Sequence, residues 1–212
     1  MALSKPLLRR LHAEVCAPPP TPAQGVAQRR LADDADRLWT RLTDWLGRGD
    51  MVSDADNDAL QLACWALQLP SARGDLPTGK FGVASMRDRA ERSAELLVTD
   101  LADDIDDDLL DRTVRLLQEL HRRPPMLEEA KLLSDAVNLD DFGIGGFVQQ
   151  VGRLAISGDG LTALLDATRA RSRYGYWTAR LGDEFHFDFA RQLAEKRLET
   201  WLDVARLLEE EV

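Results

Sequence analysis

The chain has 212 residues with 27 basic and 37 acidic side chains, so its formal net charge at pH 7 is -10. This acidic balance excludes a broad phosphate-tracking surface, and we therefore expect no nucleic-acid partner. The hydrophobic content of 44% is enough for an ordinary core, which predicts a soluble globular protein of one domain with a small appendage.

Cysteine usage and hydropathy bear on the compartment. Cys16 lies beside a proline-rich stretch and Cys64 lies in an apolar helical pattern, so neither a disulfide framework nor a cysteine metal site is expected. Residues 1–20 lack an apolar run of signal-peptide length, and no later stretch approaches the roughly 20 apolar residues that cross a bilayer. We predict a cytoplasmic protein with no membrane partner.

The N-terminal segment predicts a helix over about residues 4–15 that packs separately from the rest of the chain. Its apolar side is formed by Leu7, Leu8, Leu11 and Val15. The sequence APPPTPAQG at 17–25 predicts an extended linker, because proline lacks an amide donor. We therefore divide the chain into residues 1–25 and a domain over 26–212, and expect the N-terminal helix to dock on a protein partner or a second copy.

The rest of the chain predicts helices throughout. Apolar residues recur at helical spacing. The predicted segments are about 27–47, 55–69 (ending at Pro70), 84–101, a helix from near Leu109 to a double-proline stop, 126–139, 143–156, 160–171 and 188–210. We find no strand pair and no internal repeat, so we predict an all-α helical bundle.

Three stretches imitate ligand-binding motifs. The loop at 74–80 matches GxxxxGK, but Phe81 stands where a hydroxyl would bind magnesium, and no strand precedes the loop. The runs at 103–107 and 54–58 imitate an acidic magnesium motif and a calcium loop. Aspartates before an apolar helical pattern are more simply helix caps, and Trp65 occupies the place of the carboxylate that a calcium loop needs.

The run LLSDAVNLDDFG at 132–143 resembles the last metal motif of the HD-domain superfamily of metal-dependent phosphohydrolases, which commonly reads LLxDADxLDxxG. The preceding ELHRRPP and the closing ARQLAEKRLETWLDVARLLEEE are similar to helices that flank this motif in the family. The resemblance extends from about 27 to 210 and implies an HD-like helical bundle.

The family places histidines, an adjacent His-Asp pair and a distant aspartate around divalent ions. By this resemblance, the pair position falls on Trp65 and Ala66, and the last ligand position falls on Val137. No histidine lies between His12 and His121. The resemblance thus implies the fold without its metal ligands, so we predict a pseudoenzyme with no metal and no cofactor.

Three side chains remain near the vacated site in this alignment, namely His121, Asp135 and Asp140, and they are candidate ligand-binding residues. The alternative is a metal-dependent phosphohydrolase whose site is rebuilt from His121, Asp135 and His186. A metal site that includes only two histidines and acids is an unusual construction, since a lone histidine near a core is more often structural.

The segment RSRYGYWTARLGDEFHF at 171–187 concentrates arginines and aromatic rings in an acidic protein. Guanidinium groups and rings together favour an anion or nucleotide pocket, through bidentate contacts and stacking. They equally suit an intramolecular corner between the last two helices. We name Arg173, Tyr176 and Arg180 as candidate ligand-binding residues, and predict that the domain acts by binding a protein partner or an anionic small molecule.

Overall fold

The computed structural model describes residues 3–16, 22–47, 55–75, 85–157 and 160–211, and the regular structure in these ranges is entirely helical. The α-helices are α1 (Lys5–Val15), α2 (Pro22–Leu46), α3 (Asn57–Ala66), α4 (Leu69–Arg73), α5 (Met86–Leu96), α6 (Asp107–Glu119), α7 (Glu128–Asn138), α8 (Gly143–Ser157), α9 (Leu161–Arg173), α10 (Tyr176–Asp183) and α11 (Asp188–Glu211). A π-helical turn (Leu97–Leu101) continues α5, and a 3-10 turn (Leu139–Asp141) follows α7. The predicted all-α class is confirmed.

The chain divides into two compact units, Met1–Leu133 and Ser134–Val212. In the first unit, α3 packs against α2 and α6, and α5 packs against α4 and α6. In the second unit, α8 packs against α9 and α11, and α10 packs against the same two helices. The predicted boundary at residue 25 stays a prediction, since residues 17–21 lie outside the described ranges.

Helix α1 does not pack separately, so that prediction is wrong. Leu7, Leu11 and Val15 are buried, and α1 contacts α2, α3 and α4 within the first unit. The predicted linker is also too long, because Pro22 begins α2, where a missing amide is harmless. The apolar side of α1 is therefore used within the chain rather than offered to a partner.

Two other boundaries differ from the predictions. The predicted helix over 55–69 ends early, at Ala66, and Pro70 lies in the first turn of α4 instead of stopping a helix. Helix α10 was not predicted, because its eight residues are too few to show a convincing helical period. Gly175 has φ of 68°, a left-handed conformation that suits glycine and lets the chain turn from α9 into α10.

The acidic runs cap helices, as predicted. Asp56 accepts hydrogen bonds from two backbone amides at the start of α3, and Asp106 accepts two at the start of α6. The GxxxxGK imitation lies largely outside the described residues. Among the helices of the described ranges, none combines the length and the apolar character that crossing a bilayer requires.

Candidate functional site

A small, partly open pocket lies in the second unit, between α8, the end of α9, α10 and α11. We term it the α8–α10 pocket. Its lining residues are Asp141, Gly146, Gln149, Gln150, Arg171, Tyr176, Trp177, Arg180 and Trp201. Its volume of about 50 Å³ is several times the space that one water needs, and suits a small polar group.

An aromatic cluster supports this pocket. The ring of Trp177 lies 5.2 Å from that of Trp201 and 5.5 Å from that of Phe142, in edge-to-face arrangements. Gly146 permits the close approach of α8, because a Cβ there would lie 2.3 Å from the carbonyl oxygen of Asp141. The pocket is thus held by buried rings and a close backbone contact rather than by loops.

Arg180 is fixed in the pocket by two acids and two rings. Its Nε donates to Glu184 at 2.5 Å, and its Nη1 donates to Asp141 at 3.0 Å. The guanidinium also lies 5.3 Å from the ring centre of Phe142 and 5.8 Å from that of Tyr176. Only 12% of the Arg180 side chain is exposed, so its charge is neutralised within the protein.

Arg171 is held in a different way. Its guanidinium lies 5.4 Å from the ring centre of Tyr176 and 5.8 Å from that of Trp177. Within the described part of the chain, Arg171 forms no hydrogen bond and no ion pair with an acid. A half-buried guanidinium has five N–H donors, and here the rings orient it without occupying those donors.

Two buried indole groups also border the pocket. Trp177 and Trp201 are buried, and among the described residues Nε1 of each has no hydrogen-bond partner. Buried polar groups are nearly always paired, and an indole N–H can only donate. The side chains of Trp177 and Trp201 line the pocket together with Arg171 and Arg180, and the guanidinium groups there can bind an oxyanion.

Asp135 lies in the second unit but not in the pocket. Its carboxylate accepts hydrogen bonds from the backbone amides of His186 and Phe187, both at 2.9 Å. Burial raises the pKa of Asp135 to about 7, and the two amides oppose that rise. The carboxylate therefore anchors the chain just before α11.

The other sequence candidates are scattered. His121 lies in the first unit, half-buried beyond α6, and its Nδ1 has no hydrogen-bond partner in the described part of the chain. Asp140 is half-buried on the 3-10 turn outside the pocket lining, and Arg173 is exposed at the end of α9. Of the six candidates, the pocket brings together only Tyr176 and Arg180.

The two positions onto which the sequence resemblance places a His-Asp pair are part of the apolar core of the first unit. Trp65 and Ala66 are buried, and the ring of His12 lies 5.9 Å from that of Trp65. Over the described ranges, no group of three or more histidine, cysteine, aspartate or glutamate side chains is arranged to hold a metal ion.

The sequence reading missed several pocket residues. Arg171 begins the segment 171–187, and it follows the buried Leu164 and Thr168 on the same side of α9, whereas Arg173 is exposed. Gln149 and Gln150 carried no signal, because glutamine on a helix is ordinary surface. Trp201 belongs to the core and also lines the pocket.

Solved structures of one bacterial protein are similar to this chain. Bacillus subtilis YpgQ is 20% identical, with a TM-score of 0.61 over 98% of this chain and 96% of that chain. The structure of Bacillus subtilis YpgQ in complex with ADP is 21% identical, with a TM-score of 0.60 over 98% of this chain and 95% of that chain. No protein-family model and no curated protein matches the chain. At this identity the likeness establishes the fold alone.

Proposed function

We propose that the chain is a non-catalytic, HD-like domain that binds a small oxyanion in the α8–α10 pocket. The observation that carries the proposal is Arg171, a half-buried guanidinium that the rings of Tyr176 and Trp177 hold in the pocket without a paired acid in the described residues. In a chain of net charge -10, an arginine in that setting favours an external anion as its partner.

The size and polarity of the pocket support a head group rather than a whole ligand. About 50 Å³ accommodates a phosphate, sulfate or carboxylate group but not a nucleoside. Tyr176 is 40% exposed, and Gln149 and Gln150 are half-exposed, so the remainder of a ligand can lie along them. The ADP complex of the similar YpgQ structure makes phosphate a reasonable first probe.

Replacing Arg171 by glutamine tests the proposal. Calorimetric titration with inorganic phosphate should give a dissociation constant about 10- to 100-fold larger for the variant, because a hydrogen bond to a charged group contributes about 1.5 to 3 kcal/mol. Arg173→Gln is the matched control, since it removes the same charge from the same helix but from an exposed position outside the pocket. Equal losses in both variants, or no phosphate binding by the unaltered protein, would contradict the proposal.

The non-catalytic part of the proposal is supported by Asp135. The oxygens of its carboxylate accept backbone amide hydrogens, so the residue has a structural role that a metal ligand would have to give up. The alternative, a metal-dependent phosphohydrolase rebuilt around His121, Asp135 and His186, stays a prediction. Elemental analysis of protein purified without chelator or affinity metal tests it, and about one transition metal ion per chain would favour it.

Binding of another protein is a second candidate function, favoured by an exposed apolar stripe on α8. Ile144, Val148 and Val151 are 47%, 59% and 40% exposed and share one side of the helix. Light scattering over a range of concentrations, with Val148→Asp as the variant, tests whether this stripe joins two copies of the chain. A mass that stays monomeric at every concentration would remove self-association.

A further inference from the structure

The second arginine of the α8–α10 pocket already has an internal anion. Nη1 of Arg180 donates to Asp141 at 3.0 Å, while Nε donates to Glu184 at 2.5 Å. Glu184 lies four residues beyond Arg180 and caps the end of α10, whereas Asp141 comes from the 3-10 turn before α8 and lines the pocket. The Asp141 carboxylate thus binds Arg180 on the side of the guanidinium where a ligand anion in the pocket would bind.

The two acids differ in how readily they can leave. The side chain of Asp141 is 50% exposed, whereas that of Glu184 is 20% exposed. A half-exposed carboxylate is already partly hydrated, so it can rotate fully into water without crossing a buried environment. Arg180 cannot follow it, because only 12% of its side chain is exposed and a ring lies against its guanidinium.

We propose that Asp141 is an internal competitor for the pocket, and that the phosphoryl group of a ligand takes its place on Nη1 of Arg180. This inference rests on the proposed function of the pocket. A phosphoryl group bound to Nη1 of Arg180 bridges Arg180 and Arg171, and the side chain of Asp141 rotates into solvent. The contact between Asp141 and Arg180 therefore sets how tightly the pocket holds its ligand.

The number of donors favours a phosphoryl group over a carboxylate as the head group. Both arginines line the same space, and each guanidinium has several N–H donors. A phosphoryl group offers three strong acceptor oxygens, while a carboxylate offers two. A carboxylate would also only exchange one group for another of the same kind on Arg180, with no added contact there.

Titration of the whole chain with inorganic phosphate and, at equal ionic strength, with acetate tests this inference. Asp141→Asn should bind phosphate about five- to tenfold more tightly than the unaltered protein, since it removes both a competitor and a like charge close to the ligand. Asp141→Ser should show the same gain, which guards against an effect of the asparagine amide. Asp183→Asn is the control, because Asp183 is exposed on α10, outside the pocket lining.

The results separate the two proposals. If the unaltered protein binds phosphate, and Asp141→Asn and Asp141→Ser bind it no more tightly than Asp183→Asn does, Asp141 is not a competitor. The proposed anion pocket is unaffected by that result. Acetate binding as tight as phosphate overturns the phosphoryl class. Absence of binding to every variant overturns the pocket and the competitor together, whereas a selective gain in both Asp141 variants supports both.

Discussion

Asp135 carries a pH-dependent contribution to the stability of the second unit. Its side chain is fully buried, and its carboxylate accepts hydrogen bonds from the amides of His186 and Phe187. Burial is the largest cause that raises the pKa of this carboxyl, from 3.8 to about 7. The charged form is therefore less favourable in the folded chain than in the unfolded chain.

The direction of the effect follows from that pKa. A raised carboxyl pKa stabilises the folded chain fully below pH 3.8, and this contribution is lost as the pH rises through about 7. The interval from 3.8 to about 7, at about 1.4 kcal/mol for each pH unit, gives a contribution on the order of 4 kcal/mol. Asp135→Asn keeps one acceptor oxygen and cannot titrate, so its stability should lack this decline.

Chemical denaturation followed by circular dichroism, at pH values from about 4 to about 8, measures the difference between the two proteins. The other acids are common to both, so the difference in free energy of unfolding isolates Asp135. Hydrogen exchange at the amides of His186 and Phe187 assigns the effect to the anchored segment. A decline in Asp135→Asn as steep as in the unaltered protein would refute the reasoning, and Asp183→Asn should retain the decline.

Two further substitutions test packing and buried hydrogen bonds. Gly146→Ala should lower the free energy of unfolding by about 1 to 3 kcal/mol, because the new Cβ would lie 2.3 Å from a backbone oxygen. Gly145→Ala is the control: nothing lies within 4 Å of its new Cβ, so it should be neutral or slightly stabilising in thermal denaturation. Glu119→Ala should lower the free energy of unfolding by about 2 to 4 kcal/mol, since the buried carboxylate accepts hydrogen bonds from the amides of Met126 and Leu127. A thermal midpoint equal to that of the unaltered protein would contradict this prediction.

Much of the fold could be predicted because long amphipathic helices have a strong period. The helices α2 and α11 have 25 and 24 residues, and both were found within a few residues of their ends. The apolar side of α1 was also identified, but its partner was not, because periodicity shows that a face is buried without showing what covers it. Short elements such as α10 carry too few residues for the period to emerge.

The candidate site could be predicted only as a segment. Arginine and aromatic residues at 171–187 predicted an anion pocket or a packed corner; Trp177 of this segment is buried and also lines the α8–α10 pocket, and its binding of an anion stays a prediction. Arg171 follows the buried Leu164 and Thr168 on one side of α9 whereas Arg173 is exposed, and the prediction of Arg173 overlooked this spacing. The residues that α8 contributes to the pocket, Gly146, Gln149 and Gln150, precede the segment 171–187 in sequence, so only the tertiary structure shows that they line the same space.

Side chains of the run at 132–143 form hydrogen bonds with the connection between α10 and α11. The carboxylate of Asp135 accepts hydrogen bonds from the backbone amides of His186 and Phe187. The side-chain amide of Asn138 donates to the carbonyl oxygen of Glu184 at 3.0 Å. Asp141, near the end of the same run, pairs with Arg180 in the pocket at 3.0 Å. Acidic and amide side chains of this run thus stabilise the segment that presents the arginine, and changes in the run should be transmitted to the pocket. Loss of Asp135 should therefore weaken phosphate binding even though Asp135 does not line the pocket, whereas phosphate binding by Asp135→Asn that equals that of the unaltered protein would show that the run and the pocket are not coupled.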